Sequence, residues 1–269
     1  MSAEDYFKEV YTLLSYGSIG FRNFRAKSTS LSGEENTKIE LIVANKPVTL
    51  IRNRSINHFG YEKINIQKNL YKKIGDDIVY LNLDRITNDT IEKILPLLVE
   101  AKGVICDFRG ESYQVSRLLS HFVKEDVETA PHKYIPHIIY PNQEKVEGFW
   151  EGNSGIEMRE PYLGDKKVVY LVNGRTKSAA ESYMQLVVEY DMATVIGEPT
   201  AGVTGNINPF KVLGDYTVWW TGMKVTQIDG SQFHCVGIKP DLIVEKTIQG
   251  VREGRDEFLE KAIEVVSRE

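Results

Sequence analysis

Ser178 stands in "KVVYLVNGRTKSAAESYMQLVV", between an apolar run and a stretch with helical spacing, and two chemistries suit that place. A serine entering a helix can cap it, its hydroxyl oxygen accepting from one of the unpartnered first-turn N–H groups. Alternatively those same N–H groups, beginning with that of Ala179, hold the oxyanion that forms when the serine hydroxyl attacks a carbonyl. Ala179 and Ala180 leave the backbone uncovered at that point. The second chemistry needs a base, because a free serine hydroxyl is a poor nucleophile. Of the five histidines, His234 in "SQFHCVGIKPD" is the one expected to approach Ser178 across the sheet. His58, His132 and His137 lie in or beside expected loops, and His121 reads as a helix-face residue.

Other residues have plainer readings. Asp107, Arg109 and Gly110 end the run "GVICDFRG"; an ion pair between Asp107 and Arg109 bracing the strand end is expected there. Lys177 reads as solvated. Trp219 and Trp220 occupy successive strand positions, one ring to each face, with core packing expected. Cys106 and Cys235 make neither metal spacing nor a disulfide framework, and both sit in apolar runs as expected buried thiols. Nothing in the sequence calls for a metal or a cofactor.

Periodicity supplies the framework around these residues. Ser2 and Asp5 resemble a capping box before a helix carrying Tyr6, Val10, Leu13 and Leu14. "TKIELIVAN" and "PVTLIRN" read as strands joined at Asn45-Lys46. From residue 77 strands and helices alternate: "DIVYLNL", then "NDTIEKILPLLVEA" opened by Asn88 and bent or broken at Pro96, then "GVICDF", "YQVSRLLSHFV", "KVVYLV", "SAAESYMQLVVEY" and "ATVIGE". That rhythm argues for parallel strands with crossover helices, and reactive groups in such sheets gather at the carboxyl ends of strands. "YTVWWTGMKVTQ" reads as one long strand, "GIKPD" as a turn and "DEFLEKAIEVV" as a closing helix, while residues 125–165 read as a long insertion.

The 269 residues, 42% hydrophobic and 26% charged, suffice for one large domain or a small one plus a medium one. A net charge of −5 gives no basic field for nucleic acid. No apolar run reaches the roughly 20 residues that span a bilayer. The acidic, amphipathic N-terminus does not look like a secretory signal, which leaves a cytoplasmic protein or a trimmed exported one.

Five pieces, "DFRG", "NGRTKSAAES", "VIGEPTAGVTG", "DGSQFHCVGIKPD" and "GRDEFLEKAI", occur in that order. Together they resemble the tail-specific, or C-terminal-processing, serine peptidases, nearer the tricorn-core-like branch. The resemblance implies an α/β fold: a crotonase/ClpP-like core of superhelical βα turns over residues 75–269, a partial PDZ-like peptide-binding module over 1–55, and a linker or edge strand over 56–74. It implies Ser178 as nucleophile, the Ala179 N–H in the oxyanion hole and Glu181 in a supporting role. The second oxyanion donor follows "CDFRG", where the family has glycines and this chain has "GESYQ", so Ser112 or Tyr113 is expected to supply it. Val203 stands where one branch carries a catalytic lysine. The other branch draws a histidine from an upstream helical region and orients it with a glutamate whose position falls near His234, here the candidate base. Implied partners are peptides or unfolded protein tails, and the implied setting is the bacterial envelope or periplasm, with a signal removed; oligomeric state is not legible. A peptide-binding protein on the same scaffold with its chemistry lost is the competing reading. An acyl-CoA enzyme of the crotonase type, sharing the fold alone, comes last.

Overall fold

A computed structural model of the chain describes residues 1–14, 17–52, 69–110, 115–127, 132–138, 146–152, 155–214 and 216–268. His58, Ser112, Tyr113 and most of the expected linker lie outside them.

Helix α1 (Ala3–Leu13) opens as its sequence predicts, the Ser2 hydroxyl accepting from the Asp5 N–H at 3.0 Å. A second helix, α2 (Ile19–Thr29), is capped by Ser18. It is not evident from periodicity, since Gly20, Ser28 and Thr29 are weak helix formers. Strands β1 (Lys38–Val43) and β2 (Lys46–Ile51) form an isolated antiparallel hairpin. Its two-residue turn is Ala44-Asn45, one position earlier than expected, with φ of 50° and 63°. Positive φ at both central residues is the type I′ geometry that matches strand twist.

The core is a six-stranded sheet in the order β13-β9-β8-β5-β4-β3. Its members are β3 (Tyr71–Ile74), β4 (Ile78–Asn82), β5 (Gly103–Asp107), β8 (Lys167–Val172), β9 (Thr194–Gly197) and β13 (Leu242–Ile243). All neighbours are parallel except the edge strand β3. Strands β4 and β5 are buried throughout and β8 from its second residue, as continuous apolar runs between two helical layers require.

One layer holds α3 (Asn88–Glu100), α4 (Ser116–Leu119) and α5 (Ala179–Glu189); Ile91, Leu98, Leu118, Met184 and Val187 join one core cluster with Val104, Cys106 and Tyr170. Thr87, rather than Asn88, caps α3, and Pro96 sits within the helix without ending it. Among the described residues of "YQVSRLLSHFV", Ser116–Leu119 alone are helical. The opposite layer is α7 (Glu257–Ser267), capped by Asp256, which lays Phe258, Leu259, Ala262 and Val266 on Tyr80, Ile105, Val169 and Leu171. The short α6 (Ile248–Glu253) precedes it.

Two regions depart from expectation. The 125–165 insertion contains β6 (His132–Ile138) and β7 (Val146–Gly152), which form a three-stranded sheet with β12 (Lys224–Thr226). The long strand expected at "YTVWWTGMKVTQ" is broken at Gly222-Met223. Its first part, β11 (Thr217–Thr221), pairs instead with β10 (Ile207–Lys211) in a separate hairpin. Trp219 and Trp220 are exposed there, not packed in the core, as is every residue of β10 and β11.

Candidate active site

Strand β8 delivers the chain to the carboxyl edge of the sheet, and a hydrogen-bonded turn sets the approach to Ser178. The Asn173 carboxamide oxygen accepts from Arg175 N–H at 2.9 Å, and the Asn173 carbonyl accepts from Thr176 N–H at 2.9 Å. The buried Thr176 hydroxyl donates to the Phe108 carbonyl at 2.7 Å, locking the turn to the end of neighbouring β5.

Ser178 then takes φ 56°, ψ −124°, the conformation of the first central residue of a type II′ turn, which favours glycine. A serine held there is strained, and such strain persists only where the surroundings over-determine it. The Ser178 N–H donates to the Val203 carbonyl at 2.8 Å. Its hydroxyl makes no capping bond to α5, so the capping role is not what the residue performs. Ser178 and Ala179 are half-buried. The Ala179 N–H is a first-turn donor of α5, and among the described residues no carbonyl takes it.

Glu181, in the first turn of α5, is fully buried and organises the facing loop. It accepts from the Thr200 hydroxyl at 2.5 Å, from Gly202 N–H at 2.6 Å and from Val203 N–H at 2.9 Å. Burial pushes its carboxyl up to about 7, against these hydrogen bonds, which favour the charged form. The loop is pressed in turn against the segment carrying His234: a Cβ on Gly202 would lie 2.9 Å from Val236 N, and the Cys235 N–H donates to the Gly202 carbonyl at 3.0 Å. This close approach accounts for glycine in "TAGV".

His234 is half-buried beside that loop, and its Nε2 accepts from the Val225 N–H at 3.2 Å. Burial lowers its pKa below the ordinary value, partly offset by a backbone hydrogen bond at Met223. No hydrogen bond joins it to Ser178 among the described residues, and Nε2 has to leave Val225 to act there. His121 is buried against the Pro161 carbonyl, its Nδ1 at 3.0 Å, in contrast to the helix-face position expected.

Asp107 and Arg109 form the anticipated ion pair, within a larger network that the sequence does not disclose. Arg109 Nε and Nη2 donate to the two Asp107 oxygens at 2.9 and 2.7 Å, while Nη1 and Nη2 donate to Asp256 at 2.7 and 2.8 Å. Tyr80 adds a hydroxyl bond to Asp107 at 2.7 Å. The network joins the end of β5 to the cap of α7. Gly110 follows beneath Asp84, whose Oδ2 would lie 1.7 Å from a Cβ, so a side chain there would have to displace the Asp84 carboxylate. Cys106 is buried, but Cys235 is exposed at φ 65° on a turn, contrary to the apolar-run reading.

A cavity of about 630 Å³ opens between α2 and the strand ends, with Asn23, Phe24 and Lys27 on one wall and Asp84, Arg175 and Glu198 on the other. Its walls include the turn before Ser178 but not Ser178 itself. Among the described residues no helix is long and apolar enough to cross a membrane.

A parallel α/β sheet with helices on both faces and a strained serine between β8 and α5 defines a mixed α/β protein with a serine-bearing carboxyl edge. Residues 77–244 match the model of Peptidase family S41, and the chain belongs to that family, one of serine peptidases. It is 24% identical over 249 residues to a probable CtpA-like serine protease of Staphylococcus aureus, covering 88% of this chain and 46% of that protein. Against a carboxy-terminal-processing protease of Bartonella bacilliformis it is 24% identical over 228 residues, covering 79% and 50%. The chain thus spans about half the length of these curated relatives. Two solved structures share the fold. A putative peptidase from Parabacteroides merdae has a TM-score of 0.61 at 18% identity, covering 100% of this chain and 90% of that one. Mature CPAF, complexed with lactacystin, has a TM-score of 0.66 at 13% identity, covering 96% and 74%.

Proposed function

We propose that the chain is a serine endopeptidase of the C-terminal-processing kind, cleaving peptides or unfolded protein tails through an acyl-enzyme on Ser178. The observation that carries this reading is the Ser178 backbone, strained at φ 56° with its hydroxyl uncommitted to helix capping. Nucleophilic serines are placed on sharp strand-to-helix turns of this kind. In the reaction Ser178 Oγ attacks the scissile carbonyl carbon while its proton passes to the base. The Ala179 N–H stabilises the oxyanion, with Ser112 or Tyr113 as the proposed second donor. Collapse breaks the C–N bond, the base returning the proton to the leaving amine, and water then hydrolyses the ester. His234 is assigned as base, on condition that it exchanges Val225 for Ser178. Residues 1–55 serve in this reading as a partial PDZ-like module that presents the peptide.

Two observations favour a second reading, a peptide-binding protein with its chemistry incomplete: Nε2 of His234 is held by Val225, and Val203 occupies the position of the lysine found in one branch of the family. Fluorophosphonate labelling separates the two. The peptidase reading expects labelling at Ser178, lost in Ser178→Ala, with a rate that rises as pH passes upward through the base pKa. With His234 as base that inflection lies below about 6.5. His234→Ala is then expected to slow labelling by orders of magnitude, because nucleophile and base act as a unit. Labelling undiminished in His234→Ala would move the base elsewhere. No labelling at any pH would support the binding protein.

A further inference from the structure

We infer that Ser18, at the start of α2, is a positioning residue for Ser178, holding from outside the core the loop that fixes the nucleophile turn. The inference rests on the reading of Ser178 as nucleophile.

Ser18 is buried, and its small side chain is fully used. Its hydroxyl donates to the Thr200 carbonyl at 2.5 Å and accepts from the Phe21 N–H at 3.1 Å, while its own N–H donates to the Ala201 carbonyl at 2.6 Å. Capping α2 needs only the bond from Phe21. The two bonds to Thr200 and Ala201 therefore serve the loop.

The backbone on either side is pressed as closely. A Cβ on Gly17 would stand 2.3 Å from the Ala201 oxygen and 2.4 Å from Val203 Cγ2. One on Gly20 would stand 2.5 Å from the Pro199 oxygen, and one on Gly174 would stand 2.3 Å from the Gly20 oxygen. Glycines at these positions let residues 17–20 wedge between the Pro199–Val203 loop and the turn that precedes Ser178.

From the clamped loop two short routes lead to the nucleophile. The Ala201 N–H donates to the Thr176 carbonyl at 2.9 Å, and Thr176 lies two residues before Ser178. Two residues further along the loop, the Val203 carbonyl accepts the Ser178 N–H. The loop's inner side rests on Glu181 through Thr200, Gly202 and Val203. The loop thus lies between a buried carboxylate inside and Ser18 outside. Without the outer clamp, the strained Ser178 conformation has less to over-determine it.

The test compares Ser18→Ala and Ser18→Thr with the parent protein by fluorophosphonate labelling at saturating probe and by amide hydrogen exchange resolved at Ser178. Ser18→Ala is expected to lower the limiting labelling rate about tenfold, the effect of losing roughly one hydrogen bond, without changing the half-saturating probe concentration. The Ser178 amide is expected to exchange about tenfold faster, while Val104 to Cys106 in β5 exchange as before. Ser18→Thr, which keeps the hydroxyl, recovers most of both. Ser2→Ala, which uncaps only α1, changes neither. Should Ser18→Ala not fold, Ser18→Gly removes the same hydroxyl from a position where glycine caps tolerably and is read in its place. Parent-like labelling and parent-like exchange at Ser178 in the hydroxyl-less variant would overturn the inference. A parent protein that takes no label defeats the nucleophile reading, and the exchange at Ser178 then decides the positioning role alone.

Discussion

The Ser178 N–H donates to the Val203 carbonyl, and the Val203 N–H donates to the carboxylate of Glu181, three residues beyond Ser178. The serine and its facing loop are thereby closed into one ring through the first turn of α5. A ring of that kind keeps a residue in a conformation it would otherwise leave.

The strain has a measurable sign. Ser178→Gly and Ser178→Ala both remove the hydroxyl, but only glycine adopts φ 56° without steric cost. Urea unfolding is expected to find the glycine variant more stable than the alanine variant by about 1 kcal/mol. Alanine equal to or above glycine would show that the turn stores no strain.

The sequence discloses the features fixed by local pattern and conceals those fixed at a distance. "KVVYLV" is readable as a strand because burial on both faces makes it apolar throughout, and Ser178 is readable because it comes soon after. Ser18 is not, because its hydroxyl partner lies 182 positions away and a lone serine carries no trace of it. Asp256 opens the run read as a closing helix, yet its hold on Arg109 requires α7 to cross the sheet and leaves no mark in that run. Trp219, Trp220 and Cys235 mislead in the opposite direction. Apolar neighbours suggest a core, whereas a separate two-stranded hairpin and a left-handed turn expose all three. Ser112 and Tyr113 fall outside the described residues, and their oxyanion role stays a proposal.

Glu181 makes stability depend on pH. Its carboxyl is raised by burial to about 7, above its ordinary value, so the folded state holds that proton more tightly than the unfolded chain does. The resulting stabilisation is complete below the unfolded pKa and is lost as pH rises through about 7. The loss amounts to about 3 kcal/mol at 1.36 kcal/mol per pKa unit. Denaturant unfolding at pH 5 and pH 8 is expected to show this fall in the parent and not in Glu181→Gln. An equal fall in both would assign it to other groups.

The two cysteines are expected to react differently. Cys106 lies inside β5, and burial pushes its thiol up to about 12, whereas Cys235 is exposed. A neutral-pH disulfide reagent therefore modifies one thiol in the native protein and the second only after unfolding. Cys235→Ser removes the fast reaction. Two fast thiols would contradict the burial of β5.

Arg109 carries the largest expected effect on stability. It is buried between Asp107 and Asp256 with both ends of its guanidinium engaged, so Arg109→Leu leaves two carboxylates facing each other without a cation. Removing one partner of a buried ion pair costs about 3–5 kcal/mol, since the remaining charge is desolvated and unmatched. The pH dependence tests the cause. Burial alone would raise the Asp256 carboxyl, but the hydrogen bonds and charge of Arg109 outweigh it and hold the group below its ordinary value. Its contribution is therefore present above the ordinary carboxylate range and is lost as pH falls through the lowered folded value. In Arg109→Leu the direction reverses, because the buried Asp256 carboxylate, no longer matched by Arg109, gains by protonation. The stability gap between parent and variant should accordingly be widest at neutral pH and narrow on acidification. A gap independent of pH would mean that Arg109 contributes by packing against Phe258, 5.3 Å from its guanidinium, and not by charge.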